Sequence, residues 1–248
     1  MANSTKRIIV LANSIKNGAR CVAGVQWPVP RVDLSVDAVD PDLTRNQWIR
    51  PITAAGDGEL PPECMQLEHG GPILIGDVID VPLLQQANDP VHPEDWLVDA
   101  ARLWRRVGTM NSLTVLDLEE HPEDLWLLSK LHSDRAPAAF FLNKQKHQSI
   151  FLIRPVDFHV ELSVVLNQFK KKNQKKYRAK FEYRGMSYDL GLTDPMFTKK
   201  YCQVFPAVGE KPLVVRPPSC SRALITVSLT PKFNDYHYKV VAAVVELP

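Results

Sequence analysis

Six strand-like runs, separated by turns, follow one another from Ser149 onward, and no other feature of the sequence limits the fold as much. They are Ile150 to Arg154, Phe158 to Leu166, Tyr177 to Arg184, Met186 to Thr193, Ala223 to Thr230 and Tyr236 to Leu247. Alternation at period two, clearest in the central pair, puts one face of a strand in a core and the other in water. In the central pair, Tyr177, Ala179, Phe181 and Tyr183 share one face while Arg178, Lys180, Glu182 and Arg184 share the other, and Gly185 turns the chain into Met186. So many short strands close together suit a small barrel or sandwich better than a βαβ unit. The earlier part of the chain also reads as mostly β. It offers a hairpin from Ile8–Ala12 and Cys21–Val25, a strand at Trp48–Ile52 and another from Ile73 that stops at Pro82. Two helices are expected in it, one from Glu94 to Val107 on an apolar i, i+4, i+7, i+8, i+11 spacing, and a shorter one from Pro122 to His132.

Charge divides the chain. The net charge is +2, yet residues 1–139 carry 12 basic and 20 acidic side chains while residues 140–248 carry 18 and 8. Two modules of opposite sign are expected, an acidic one over 1–135 and a basic one over 136–248. The basic module is the place to seek a polyanionic partner. The acidic one suits a protein partner or a small anion. Four cysteines without a C-x-x-C pair exclude a zinc ribbon or a thioredoxin-like motif. The short apolar run at Ile8–Ala12 is too short for a signal peptide or a membrane span, so no membrane association and a cytoplasmic location are expected.

Lys170, Lys171, Lys172, Lys175, Lys176, Arg178 and Lys180 put seven cations into eleven residues with no acid among them. A loop of this kind running into a strand can neutralise several phosphates of a nucleic acid. Lys16, Arg20 and Arg50, scarce cations of the acidic half, are further candidate nucleic-acid contacts; Asn13, Ser14 and Gly18 give the first two the small, polar context of an anion-binding turn. Tyr177, Phe181, Tyr183 and Tyr188 are read as core before they are read as base-stacking groups. Signals for an enzyme are thin. His92-Pro93-Glu94 satisfies H-x-E, but no P-C-x-x-C follows, and no phosphate-binding glycine loop or nucleophile elbow is present. No metal site, cofactor or catalytic residue is expected.

Several segments together resemble the bacterial dual-OB-domain proteins. These are Leu11-Ala12-Asn13-Ser14-x-Lys16 with Arg20-Cys21-Val22-Ala23-Gly24, Trp48-Ile49-Arg50-Pro51, and Glu94-Asp95-Trp96-Leu97. Tyr188-x-Leu190-x-Leu192-Thr193-Asp194-Pro195, and Ser228-Leu229 with Tyr238-Lys239-Val240-Val241-Ala242-Ala243, complete the set. The resemblance spans nearly the whole chain and implies two OB-like barrels. It also implies a nucleic-acid-binding component without a reaction of its own, encoded near prokaryotic antiviral defence systems. An accessory subunit that docks a basic protein through its acidic module is the alternative expectation, and an enzyme acting on nucleotides or nucleic acid is the third.

Overall fold

The computed structural model describes residues 4–16, 18–27, 47–126, 134–141, 147–167 and 171–247. The chain divides into two compact units. The first comprises residues 1–120 with 147–149, and the second residues 121–146 with 150–248.

The first unit is built on β1 (Ser4–Lys16), β2 (Ala19–Gln26), β3 (Trp48–Ile52), β4 (Asp77–Gln86), β5 (Asp95–Val98) and β6 (Arg105–Thr109). Their order is β1-β2-β3-β5-β4-β6, and β1 also pairs with β4, so the first five strands close into a barrel. The β3–β5 pair is parallel and the other strand pairs are antiparallel. Closure depends on β1 serving two neighbours: Ile8 and Ile9 pair with β2 on one side and β4 on the other, and a bulge between Val10 and Ala12 bends the strand. Gly24 lies opposite that bend. Any Cβ there would collide with the Ile9 carbonyl, so the close crossing needs glycine. Ile8, Val10, Val22, Ile49, Ile79 and Trp104 fill the barrel.

The helix expected over Glu94–Val107 is absent: β5 and β6 occupy the segment. Its apolar residues do not share one face: Val98 on β5 and Trp104 just before β6 lie in the core, Leu103 is 51% exposed and β6 is exposed along its length. Asp95 is not a first-turn helix acid. It sits opposite Arg50 in the parallel β3–β5 pair, and that tertiary pairing overrides the local pattern. Of the second expected helix, Pro122–Trp126 are not helical and the rest lies outside the described residues. The strand expected to stop at Pro82 runs through it to Gln86.

The second unit contains β7 (Arg135–Pro137), β8 (Ile150–Ile153), β9 (Val156–Asn167), β10 (Lys172–Tyr183), β11 (Met186–Leu192), β12 (Leu213–Val215), β13 (Leu224–Leu229) and β14 (Tyr236–Val245). The sheet order is β12-β9-β10-β11-β14-β13-β8, with β7 on β14. Only Arg154 and Pro155 separate β8 from β9, and proline has no N–H to continue a ladder. Taken together, β8 and β9 form one interrupted strand that pairs with β13 through its first part and β10 through its second. The circuit therefore repeats the first unit's order, and β11–β14 is its parallel pair. Both units are OB-like, and the protein is mainly β with few short helices.

The buried face of the second barrel holds Phe158, Leu162, Phe181 and Tyr188, the last two stacked at 5.2 Å. Phe181, Tyr183 and Tyr188 are core residues, as their period indicates. A short helix, Pro195–Tyr201, follows β11. Asp194 caps it by accepting from the Met196 and Phe197 amides and, with its other oxygen, from Val244. One buried carboxylate thereby ties the helix to the last strand.

Candidate nucleic-acid interface

OB barrels take their ligands on the face of strands two and three, between the first and the last connecting loops. In the second unit these strands are β10 and β11, the first connection joins Asn167 to Lys172 and the last is 230–235. The described part of the lysine cluster begins at Lys171 and runs into β10. Lys170 lies outside the described residues. Lys171 has a φ of 47° at the turn. Lys171, Lys172 and Lys175 are exposed and Lys176 is half-buried.

Strand alternation sorts these cations. Lys172, Lys176, Arg178 and Lys180 point outward from β10, whereas Lys175 shares its face with Tyr177. The Lys175 ammonium lies 4.5 Å from the centre of the Phe205 ring, which also receives the Tyr177 ring edge-on at 5.3 Å. Arg178 and Lys180 are already neutralised by carboxylates. Arg178 donates to Asp189 at 2.7 Å and to Asp134 at 3.1 Å. Lys180 reaches Glu161 at 2.8 Å. Lys171 at the turn, with Lys172 and Lys176 on the outer side of β10, leaves this edge cationic, whereas Lys175 lies against Phe205 and Arg178 and Lys180 are tied to neighbouring carboxylates.

The same face continues across the sheet to aromatic residues. Arg178 pairs with Gly191 on β11, and Gly191 pairs with Val240 on β14. Two and four residues before Val240, on the same side of β14, stand Tyr238 and Tyr236. Arg135 pairs with Tyr238 across β7 and places its guanidinium 5.5 Å from the Tyr236 ring and 5.6 Å from the Tyr238 ring. Phe233, 63% exposed, lies 6.5 Å from Tyr238 in the last connecting loop. The hydrogen bond from Arg178 to Asp134, next to Arg135, joins this aromatic ledge to the cationic strand. Sequence reasoning missed the ledge. The alternation of Tyr236, Tyr238 and Val240 against His237, Lys239 and Val241 was the available signal.

The family's sequence profile matches residues 6–244 under the description "Dual OB-containing domain". The chain belongs to that family. No curated protein and no solved structure matches it. In this dual OB protein two of the three cations expected in the acidic half, Arg20 and Arg50, are held by different partners. Lys16 ends β1, opposite Ala19, and its side chain lies outside the described residues. Arg20 is half-buried, with its guanidinium 3.4 Å from the Asn13 side-chain oxygen.

Arg50 is 3% exposed, and both ends of its guanidinium fork donate to Asp95, at 2.5 and 2.9 Å. It has no surface to offer a phosphate, which corrects its assignment as a contact residue. The H-x-E pair lies in the same interior. Ser149 donates to Glu94 and its hydroxyl stands 2.8 Å from His92 Nδ1, all three being buried. Burial pushes the Glu94 and Asp95 carboxyls up, against the pull of Arg50. This knot fastens His147–Ser149 to the first unit. Among the described residues no group of three or more His, Cys, Asp or Glu could hold a metal ion. No described helix is long and apolar enough to cross a membrane.

Proposed function

We propose that this dual OB protein is a nucleic-acid-binding component without a reaction of its own, and that the outer face of β10–β11–β14 is its contact surface. The observation that carries this reading is the pairing of two ligand chemistries on one sheet face. Exposed lysines at the β9–β10 turn suit a phosphate backbone, and the ledge of Tyr236, Tyr238 and Phe233 suits unstacked bases. That combination favours single strands, or single-stranded parts of structured DNA or RNA, over uniform duplex. A place in a prokaryotic defence system follows from the family-level resemblance and extends the same proposal.

A fluorescence-anisotropy panel of single- and double-stranded DNA and RNA at two salt concentrations tests it. Single strands should bind more tightly than duplex of the same length, and affinity should fall steeply with salt. No binding to any member of the panel, or binding that ignores salt, would remove the reading.

A further inference from the structure

The first unit carries a cleft of about 850 Å³ on the β1–β4–β6 side of its barrel, remote in sequence from the lysine cluster. Its floor is a cross-strand row. Arg7 on β1 pairs with Asp80 on β4, and Asp80 pairs in turn with Arg105 on β6. One carboxylate thus serves two guanidiniums, taking Arg7 at 2.6 Å and Arg105 at 2.6 Å. These ion pairs hold the Asp80 carboxyl below its ordinary range, the Arg7 hydrogen bond foremost, so it stays charged and fixes both arginines.

Two more cations line the cleft. Arg102 reaches over from the β5–β6 connection to donate to the Thr5 hydroxyl at 3.3 Å. Lys6 donates to Gln26 at 3.2 Å. Against these four cations stand two acids, Asp80 and Glu68, a local balance of +2 inside a module rich in carboxylates. Beside them the Ser4 hydroxyl oxygen is buried with no hydrogen-bond partner among the described residues. Trp27, Pro82 and Leu103 supply apolar surface at the rim.

We propose that this cleft binds a phosphorylated small molecule of nucleotide size, its dianionic phosphate taken by Arg102 and Arg105, with Arg7 held bidentate on Asp80 behind them. The +2 balance complements a phosphate monoester, and guanidinium forks match its oxygens. The volume is that of a ligand site for a whole small molecule and far exceeds what a lone phosphate fills. The surrounding carboxylates oppose a long polyanion but leave a compact dianion its pocket.

Isothermal titration of the full chain with inorganic phosphate, a nucleoside monophosphate and the corresponding unphosphorylated nucleoside tests this. The monophosphate should bind saturably and more tightly than phosphate, and the nucleoside should not bind. Arg102→Gln with Arg105→Gln should weaken the monophosphate at least about ten-fold, the scale of removing one charge-assisted hydrogen bond, while single-stranded oligonucleotide affinity stays unchanged. Should the double variant fail to fold, Arg102→Gln alone carries the test, with a weakening of about three-fold or more. The proposal is overturned by absence of saturable monophosphate binding up to about 10 mM, by equal binding of the bare nucleoside, or by a folded variant that keeps wild-type affinity.

Discussion

Replacing Arg50 with Met separates a structural cation from a ligand-binding one. The substitution leaves Asp95 and Glu94, each 5% exposed, in the barrel wall without their guanidinium. Removing one partner of a buried ion pair costs about 3–5 kcal/mol, because the remaining charge is stranded in a poorly polarisable interior. For a unit of this size the destabilisation corresponds to a fall of roughly 10–25 °C in the melting transition. The deficit should also depend on pH. Without Arg50 the folded-state carboxyls rise further above their unfolded values. Stability is then regained as pH falls towards the unfolded carboxylate range, near 4, and lost as it rises through the folded values. Thermal and urea denaturation of wild type and variant at about pH 5 and pH 7.5, followed by circular dichroism, measures both effects. Nucleic-acid affinity well below the transition should match wild type. A variant as stable as wild type, a deficit equal at both pH values, or a folded variant that no longer binds would refute the reasoning.

Lys239 is 2% exposed and faces the second barrel's interior, where burial lowers its ammonium to about 8 against the pull of Asp124 and Asp134. With an unfolded value of 10.5, its cost of roughly 3 kcal/mol is fully present below pH 8 and fades as pH rises to 10.5. Lys239→Met should therefore stabilise the protein at pH 7 by up to that amount, with the gain shrinking in alkaline denaturation series; a gain constant with pH would contradict this. Tyr236→Ala with Tyr238→Ala should weaken single-stranded binding by about 1–3 kcal/mol for each base left unstacked while leaving duplex binding alone, which anisotropy on paired oligonucleotides reads directly. Asp194→Ala removes the acceptor of three backbone amides and should cost about 2–4 kcal/mol in urea denaturation.

Local pattern made the second barrel legible. Alternation in Tyr177–Arg184 already set Ala179 and Phe181 apart from the charged face, because a strand's faces are set by neighbouring residues alone. The lysine run was visible for the same reason. What failed were inferences that depended on distant partners. The Glu94–Val107 spacing fits a helix as well as two strands, and only the pairing of Asp95 with Arg50, 45 residues away, decides between them. Arg178 looked like one more member of the cationic loop until Asp134, 44 residues upstream, took one end of it. Tyr236 and Tyr238 were within reach of a period-two reading. Their role as a ledge depends on Arg135, which topology alone brings alongside them.

The central claim is that the β9–β10 turn neutralises the phosphates of the bound strand, and the salt dependence of binding measures it most directly. Lys171, Lys172 and Lys176 replaced together by Gln should weaken single-stranded binding and flatten the slope of log affinity against log salt by about 2, at roughly 0.7 for each phosphate no longer neutralised. An unchanged affinity with an unchanged slope in that folded variant would place the binding surface elsewhere.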